Sequence, residues 1–273
     1  MIGANSVIDL FSGCGGLSYG FESAGFHIKF GIDHDRHALA TFEKNHRDSQ
    51  AIFTDISKLN KRDIRSMAGP NGLDLLVGGP PCQGVSLSGH RLRKDPRNEL
   101  FLSYLRLLSD LRPKAFVMEN VPGLLGLFDG ELKDVLLREF NRLGYTVSYQ
   151  ILNAAQYGVP QARKRVFFVG LANGQTFDFP KPLNREPVTS FEALSDLPEY
   201  SLPSGSAYPM PQQNIYQKLI RKGSAGVYNH EITNHWDKTI EIISMVPDGG
   251  NYKNLPTELW NTRRVNIAWT RLN

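Results

Sequence analysis

The feature that most constrains this chain is an alternation of short apolar runs with amphipathic segments, sustained over its first 170 residues. Ser6 to Phe11 (SVIDLF) reads as a buried strand, followed by a Gly-rich turn and a helix through about Ala24. A second strand ends at Gly31-Ile32-Asp33, and the helix after it places Ala38, Leu39 and Phe42 on one face. Ala51 to Phe53 is a short strand, and Leu73 to Val77 is a stronger one, closed by Gly78-Gly79-Pro80-Pro81. Asn98 to Leu111 has a helical period, Ala115 to Met118 is a strand, and Lys133 to Leu143 is an amphipathic helix ended by Gly144. Tyr145 to Leu152 and Arg165 to Leu171 alternate as late strands. Strands interleaved with helices predict an α/β fold around a mostly parallel sheet.

The pattern changes near Ala172, and seven of the sixteen prolines fall between Pro180 and Pro211. This divides the chain into a first domain, residues 1–172, and a loop-rich region, residues 173–273. A hydrophobic content of 41% in 273 residues suits a soluble globular protein with a sizeable core. The net charge of +4 is compatible with a nucleic-acid partner, as it is with none. Cys14 and Cys82 form no Cys-x-x-Cys pair, which argues against a zinc site or redox dithiol and suits a reducing compartment. With no signal-peptide pattern and no run of transmembrane length, the expected location is the cytoplasm, away from any membrane.

In open α/β sheets, ligands bind at the carboxyl ends of the strands. After the first strand comes Phe11-Ser12-Gly13-Cys14-Gly15-Gly16, a turn that lets the backbone approach a nucleotide-like ligand, or else a plain strand-to-helix turn. Asp33 closes the second strand, where a carboxylate can accept from ribose hydroxyls; Asp55 follows the third and can accept from an adenine amino group. Either could be a solvated cap. Together with the turn they favour an adenosine-bearing cofactor.

Cys82 stands in Gly78-Gly79-Pro80-Pro81-Cys82-Gln83-Gly84-Val85-Ser86, held by a rigid Pro-Pro step among glycines. That setting suits an exposed, reactive thiol, whereas Cys14 is expected to pack as a small buried residue. Glu119, after the apolar run Ala115–Met118, is a partly desolvated acid or a strand-end cap. Arg163 and Arg165 lie at i, i+2 leading into a strand and so share a face suited to phosphate or a carbonyl oxygen, unless they are a solvated pair. The segment Ser86 to Arg97 carries Arg91, Arg93, Lys94 and Arg97 and is at least a solvated basic linker. His230 and His235, in NHEITNH, are spaced one residue too far apart for the zinc-protease helix.

The segments DLFSGCGG (9–16), GGPPCQGVS (78–86), ENV (119–121) and QYGVPQARKR (156–165), in this order, closely resemble the motifs of DNA (cytosine-5) methyltransferases. The resemblance implies an S-adenosylmethionine-dependent methyltransferase (Rossmann-like) sheet with helices on both faces, followed by the start of a smaller target-recognition region. It implies that Cys82 attacks carbon 6 of cytosine in double-stranded DNA and that Glu119 hydrogen-bonds nitrogen 3. Arg163 and Arg165 would steady the base and its surroundings. Phe11, Gly13, Gly15, Gly16, Leu17, Asp33, His34, Asp55, Ile56 and Pro80 would line the S-adenosylmethionine pocket, with Phe11 on the adenine. Gln83 and Ser86 would join the basic segment at the DNA. Family members often carry Glu where Asp33 stands and an aromatic or apolar residue at His34.

The family's final Gly-Asn-x-Val motif has no counterpart here, so the reading includes a fragment, a truncated product or one subunit completed by a second chain. The leading expectation is a bacterial enzyme paired with a restriction enzyme or acting alone. A non-catalytic binding module, a transfer-RNA methylase and, least of all, a cysteine hydrolase are the alternatives.

Overall fold

A computed structural model describes residues 5–81, 99–247 and 250–259. The chain forms two compact units, Met1–Asn153 with Lys164–Lys181, and Ala154–Arg163 with Pro182–Asn273.

The first unit is built on seven strands: β1 (Ser6–Leu10), β2 (His27–Asp33), β3 (Gln50–Phe53), β4 (Leu75–Gly78), β5 (Ala115–Asn120), β6 (Thr146–Asn153) and β7 (Lys164–Leu171). Their order across the sheet is β3-β2-β1-β4-β5-β7-β6. The first five run parallel, and β7 lies antiparallel between β5 and β6. The connections carry α1 (Gly16–Ser23), α2 (Arg36–Asn45), α3 (Lys61–Ala68), α4 (Glu99–Leu111) and α5 (Glu131–Arg142). The mostly parallel α/β architecture expected from the alternation is the one observed.

Both faces of the sheet are covered, which is why its strands read as continuous apolar runs. Ile8, Leu10, Leu76 and Phe116 pack in one cluster with Ile64 of α3, Tyr104 and Leu107 of α4, and Leu136 and Phe140 of α5. Val7, Leu75 and Val77 point the other way, to Leu39 and Phe42 of α2, with Leu17 and Phe21 of α1 alongside. Each such fully buried side chain contributes roughly 1.5–3 kcal/mol. Helix α3 escapes a periodicity reading because only Ile64 and Ala68 are buried among charged neighbours. Its start is fixed instead by Asn60, whose side chain accepts from the N–H groups of Arg62 and Asp63.

In the second unit, short helices α6 (Ser190–Leu194), α7 (Ile215–Ile220) and α8 (Asp237–Ser244) are joined by long loops. A buried ion pair, Arg221 with Asp196, organises it. Arg221 also donates to the Met210 carbonyl at 2.9 Å and lies 3.7 Å over the Tyr208 ring. His230 Nε2 meets the Pro198 carbonyl at 2.8 Å, a loop contact. Among the described residues, no helix is long and apolar enough to cross a membrane.

Candidate active site

The strand order reverses between β1 and β4, and the crevice at such a switch point is where α/β sheets take ligands. Leu10 and Gly78 are paired at the carboxyl ends of these strands, so the segments leaving them form two neighbouring walls.

The first wall is the turn from Phe11 to Gly16. Phe11 is held at φ 60°, a left-handed conformation costing a side chain of this kind on the order of 1–3 kcal/mol. Gly13 and Gly15 follow at φ 53° and 87°. Asp33, only 8% exposed at the end of β2, ties the turn down. Its Oδ2 accepts from the Gly13 N–H at 2.8 Å, and its Oδ1 accepts from His34 and Asp35 at 2.7 and 2.9 Å. Each carboxylate oxygen takes two donors, so among the described residues one position on Oδ2 remains for a further hydroxyl. The Ser12 Oγ is buried and has no hydrogen-bond partner among the described residues.

Cys14 is exposed, which corrects the expectation of a small buried residue. Between two left-handed glycines the backbone turns its side chain outward, while Ser12 and the ring of His46 fill the interior.

Asp55 follows β3 and caps the 3-10 turn Ile56–Lys58. Its Oδ1 accepts from the Ser57 hydroxyl at 2.7 Å and the Ser57 N–H at 2.9 Å, and these bonds hold the carboxyl below the usual aspartate range. Arg106 of α4, which sequence reasoning missed, clamps this turn through the carbonyls of Leu59, Ile56 and Ser57 at 2.5, 3.3 and 3.3 Å. Ile56 is buried, Leu17 packs at the edge of the core, and His34 is mostly exposed, with Nδ1 3.2 Å from Asp33.

The second wall joins β4 to β5. Pro80 is buried and Pro81 exposed. A side chain at Gly79 would meet the Glu119 carboxylate, its Cβ 3.3 Å from Oε2, so Glu119 stands directly beside the segment that leads to residue 82. Across the antiparallel seam, Arg165 Nε lies 3.0 Å from Glu119 Oε1, each side chain about three quarters buried. Asn120, part of the ENV motif but given no role by the sequence reading, is buried and donates from Nδ2 to the Pro80 carbonyl at 2.9 Å. Its Oδ1 accepts from the Val121 N–H, so one amide braces the Pro-Pro step against the strand that carries Glu119.

Arg163 is exposed and lies one residue before β7, in the second unit, its carbonyl accepting from Ala154 at 2.9 Å. Cys82, Gln83, Ser86, Arg91, Arg93, Lys94 and Arg97 lie outside the described residues. No group of three or more His, Cys, Asp or Glu able to hold a metal occurs among the described residues.

The model of the C-5 cytosine-specific DNA methylase family matches residues 5–267. The type II methyltransferase M.DdeI of Desulfomicrobium norvegicum is 40% identical over 265 residues, covering 93% of this chain and 63% of the relative. M.AgeI of Thalassovita gelatinovora is 38% identical over 254 residues, 82% of this chain and 59% of that protein. The chain thus spans about three fifths of the length of these curated relatives. Among solved structures, a DNA modification methyltransferase encoded within an E. coli prophage superposes with a TM-score of 0.74 at 28% identity, covering 92% of this chain and 78% of that one.

Proposed function

The chain belongs to the C-5 cytosine-specific DNA methylase family, and we propose that it carries the catalytic half of an enzyme that methylates carbon 5 of cytosine in duplex DNA. The observation that supports this most directly is the Glu119–Arg165 pair, set beside Gly79 at the switch point of the sheet.

The first wall fits S-adenosylmethionine. The vacant position on Asp33 Oδ2 suits a ribose hydroxyl, the ionised Asp55 suits an amino-group donor, and the buried Ser12 Oγ needs a polar partner that the described residues do not supply. Phe11, Leu17, Ile56 and Pro80 supply apolar surface around these groups, the glycines 13, 15 and 16 admit close backbone approach, and His34 lies at the rim. When bound, the cofactor supplies an electrophilic methyl group.

The protein's own part is to make cytosine nucleophilic. Cys82, as thiolate, adds to carbon 6 of the ring. Glu119 hydrogen-bonds and protonates nitrogen 3, so that electron density from the new bond collects at carbon 5, the position that takes the methyl group. Loss of the carbon-5 proton then expels the thiolate and restores the aromatic ring. Arg165 orients Glu119 through their ion pair, and Arg163 joins it at the base. Because carbon 6 is inaccessible in stacked duplex DNA, the cytosine must be flipped out, while Gln83, Ser86, Arg91, Arg93, Lys94 and Arg97 hold the opened strand. The type II names of the relatives support pairing with a restriction enzyme, and the cytoplasm is the setting proposed with it.

The test is intact mass under denaturing conditions after incubation with S-adenosylmethionine and a mixed-sequence duplex bearing 5-fluorocytosine. Fluorine at carbon 5 blocks the elimination, so a working enzyme stays attached through Cys82. An adduct that disappears in Cys82→Ser supports the reading. No adduct from this chain, even with the C-terminal region of a relative added, would leave it a binding module.

A further inference from the structure

One buried ionisable group has no part in the chemistry above. His46, the residue that ends α2, is completely buried, its ring tilted 36° to that of Phe42 with the centroids 4.4 Å apart. Its Nε2 lies 3.1 Å from the Gly15 carbonyl, on the turn proposed to receive the cofactor. Its Nδ1 lies 2.7 Å from Glu22 Oε2 on α1. A Cβ at Gly15 would fall 2.3 Å from His46 Nε2, so the ring fills the space that a side chain on the turn would need.

The two contacts fix a proton count. A carbonyl only accepts, so Nε2 must carry a hydrogen. A carboxylate also only accepts, so either Nδ1 carries a second hydrogen, or Glu22 is itself protonated and donates to Nδ1. In both cases the pair holds one proton more than a neutral imidazole beside a carboxylate. Losing that proton sets the Glu22 charge against an unprotonated nitrogen, or moves the remaining hydrogen to Nδ1 and breaks the Gly15 contact. Glu22 is about one third exposed and gives the proton a route to solvent. The other titratable groups facing the ring are Tyr19 of α1, edge-on at 6.5 Å, and Asp9 of β1, within electrostatic reach.

We propose that His46 and Glu22 form a proton-dependent clamp on the Gly15 turn, positioning it for S-adenosylmethionine and making cofactor affinity fall when the shared proton leaves. This rests on the cofactor reading above. Glutamine at position 22 reproduces the protonated acid permanently: its amide can donate to Nδ1 while a neutral His46 keeps its hydrogen on Nε2.

The experiment is calorimetric binding of S-adenosylmethionine between pH 6 and 10 to the wild type, Glu22→Gln and His46→Phe, with nitrogen-15 NMR of the His46 ring in the ligand-free wild type. The wild type should lose about tenfold in affinity toward alkaline pH, the value of one hydrogen bond of this kind. Glu22→Gln should stay tight and flat across the range, and His46→Phe weak and flat. The ring should show two protonated nitrogens, or one facing an acid proton, below the wild-type midpoint. A Glu22→Gln profile that falls with the wild type, or a wild-type profile that is flat, would overturn the clamp even if His46→Phe fails to fold. A wild type that binds no cofactor at any pH, with the NMR titration as expected, would instead sink the cofactor reading and leave only the proton-sharing pair.

Discussion

Arg165 Nε and Glu119 Oε1 meet at 3.0 Å across the seam where β7 runs antiparallel to β5. Glu119 pairs in register with Phe167, so Arg165 sits two residues along β7 and on the same face. A guanidinium fixed by a strand holds its partner acid in one orientation better than a loop residue could.

Arg165→Ala should therefore lower kcat on duplex DNA by about a hundredfold or more, with S-adenosylmethionine affinity within about twofold of wild type. Arg165→Lys should recover only part of this, because an ammonium lacks the planar fork. Turnover and calorimetric binding, measured side by side, check it. Equal losses in both would mean that Arg165 supports the fold as a whole.

Asn120→Ala leaves the Pro80 carbonyl and the Val121 N–H without their side-chain partner. The expected cost is roughly 1–3 kcal/mol, together with a loss of turnover larger than that loss of stability would produce. Urea midpoints and single-turnover rates test this; an unchanged turnover rate at saturating substrate would show that the Pro-Pro step needs no brace.

Asp9 is 1% exposed, and burial pushes its carboxyl up to about 6 although the Ser18 hydroxyl donates to it at 2.6 Å. Because the folded value lies above the unfolded one, the folded state holds this proton more tightly. The contribution to stability is complete below about pH 4 and is lost as pH rises through about 6. Relative to Asp9→Asn, the wild type should lose roughly 3 kcal/mol between pH 4 and 7. Parallel urea midpoints for the two proteins over that range would refute this.

Arg221→Met in the second unit strips the counter-ion from Asp196, which is 3% exposed. Breaking one side of such a buried pair should cost roughly 3–5 kcal/mol, and limited proteolysis should open the loops after Pro182 first. Cleavage at wild-type rates would argue against the pair as the organiser of this unit.

The sheet was legible because parallel strands buried on both faces are apolar along their length, as Val7, Ile8 and Leu10 or Leu75, Leu76 and Val77 illustrate. Motif residues that lie at strand ends, such as Gly13, Asp33 and Glu119, could be placed by the carboxyl-edge rule alone. What escaped were contacts between residues far apart in sequence. Nothing local distinguishes Arg106, whose targets lie 47 to 50 residues away, from any helix-surface arginine. His46 reaches Gly15 across 31 residues, and Asn120 reaches Pro80 across 40. Exposed Cys14 was misjudged because composition says that lone cysteines are usually buried, whereas two left-handed glycines decide the matter locally.

The segment Ala154–Arg163 belongs to the second unit, although the strands on either side of it belong to the first. The Leu183 N–H donates to the Gln156 carbonyl at 2.9 Å, so residues after Pro182 depend on a stretch synthesised before β7. A ribosome releasing this chain in order therefore delivers part of the second unit early, tethered at the tip of the β6–β7 hairpin, where it must wait for its remaining partners. For anyone grafting that unit between relatives, a single splice at Pro182 would leave ten residues of the donor's scaffold behind; two cuts are needed, and the shorter piece must travel with the longer one.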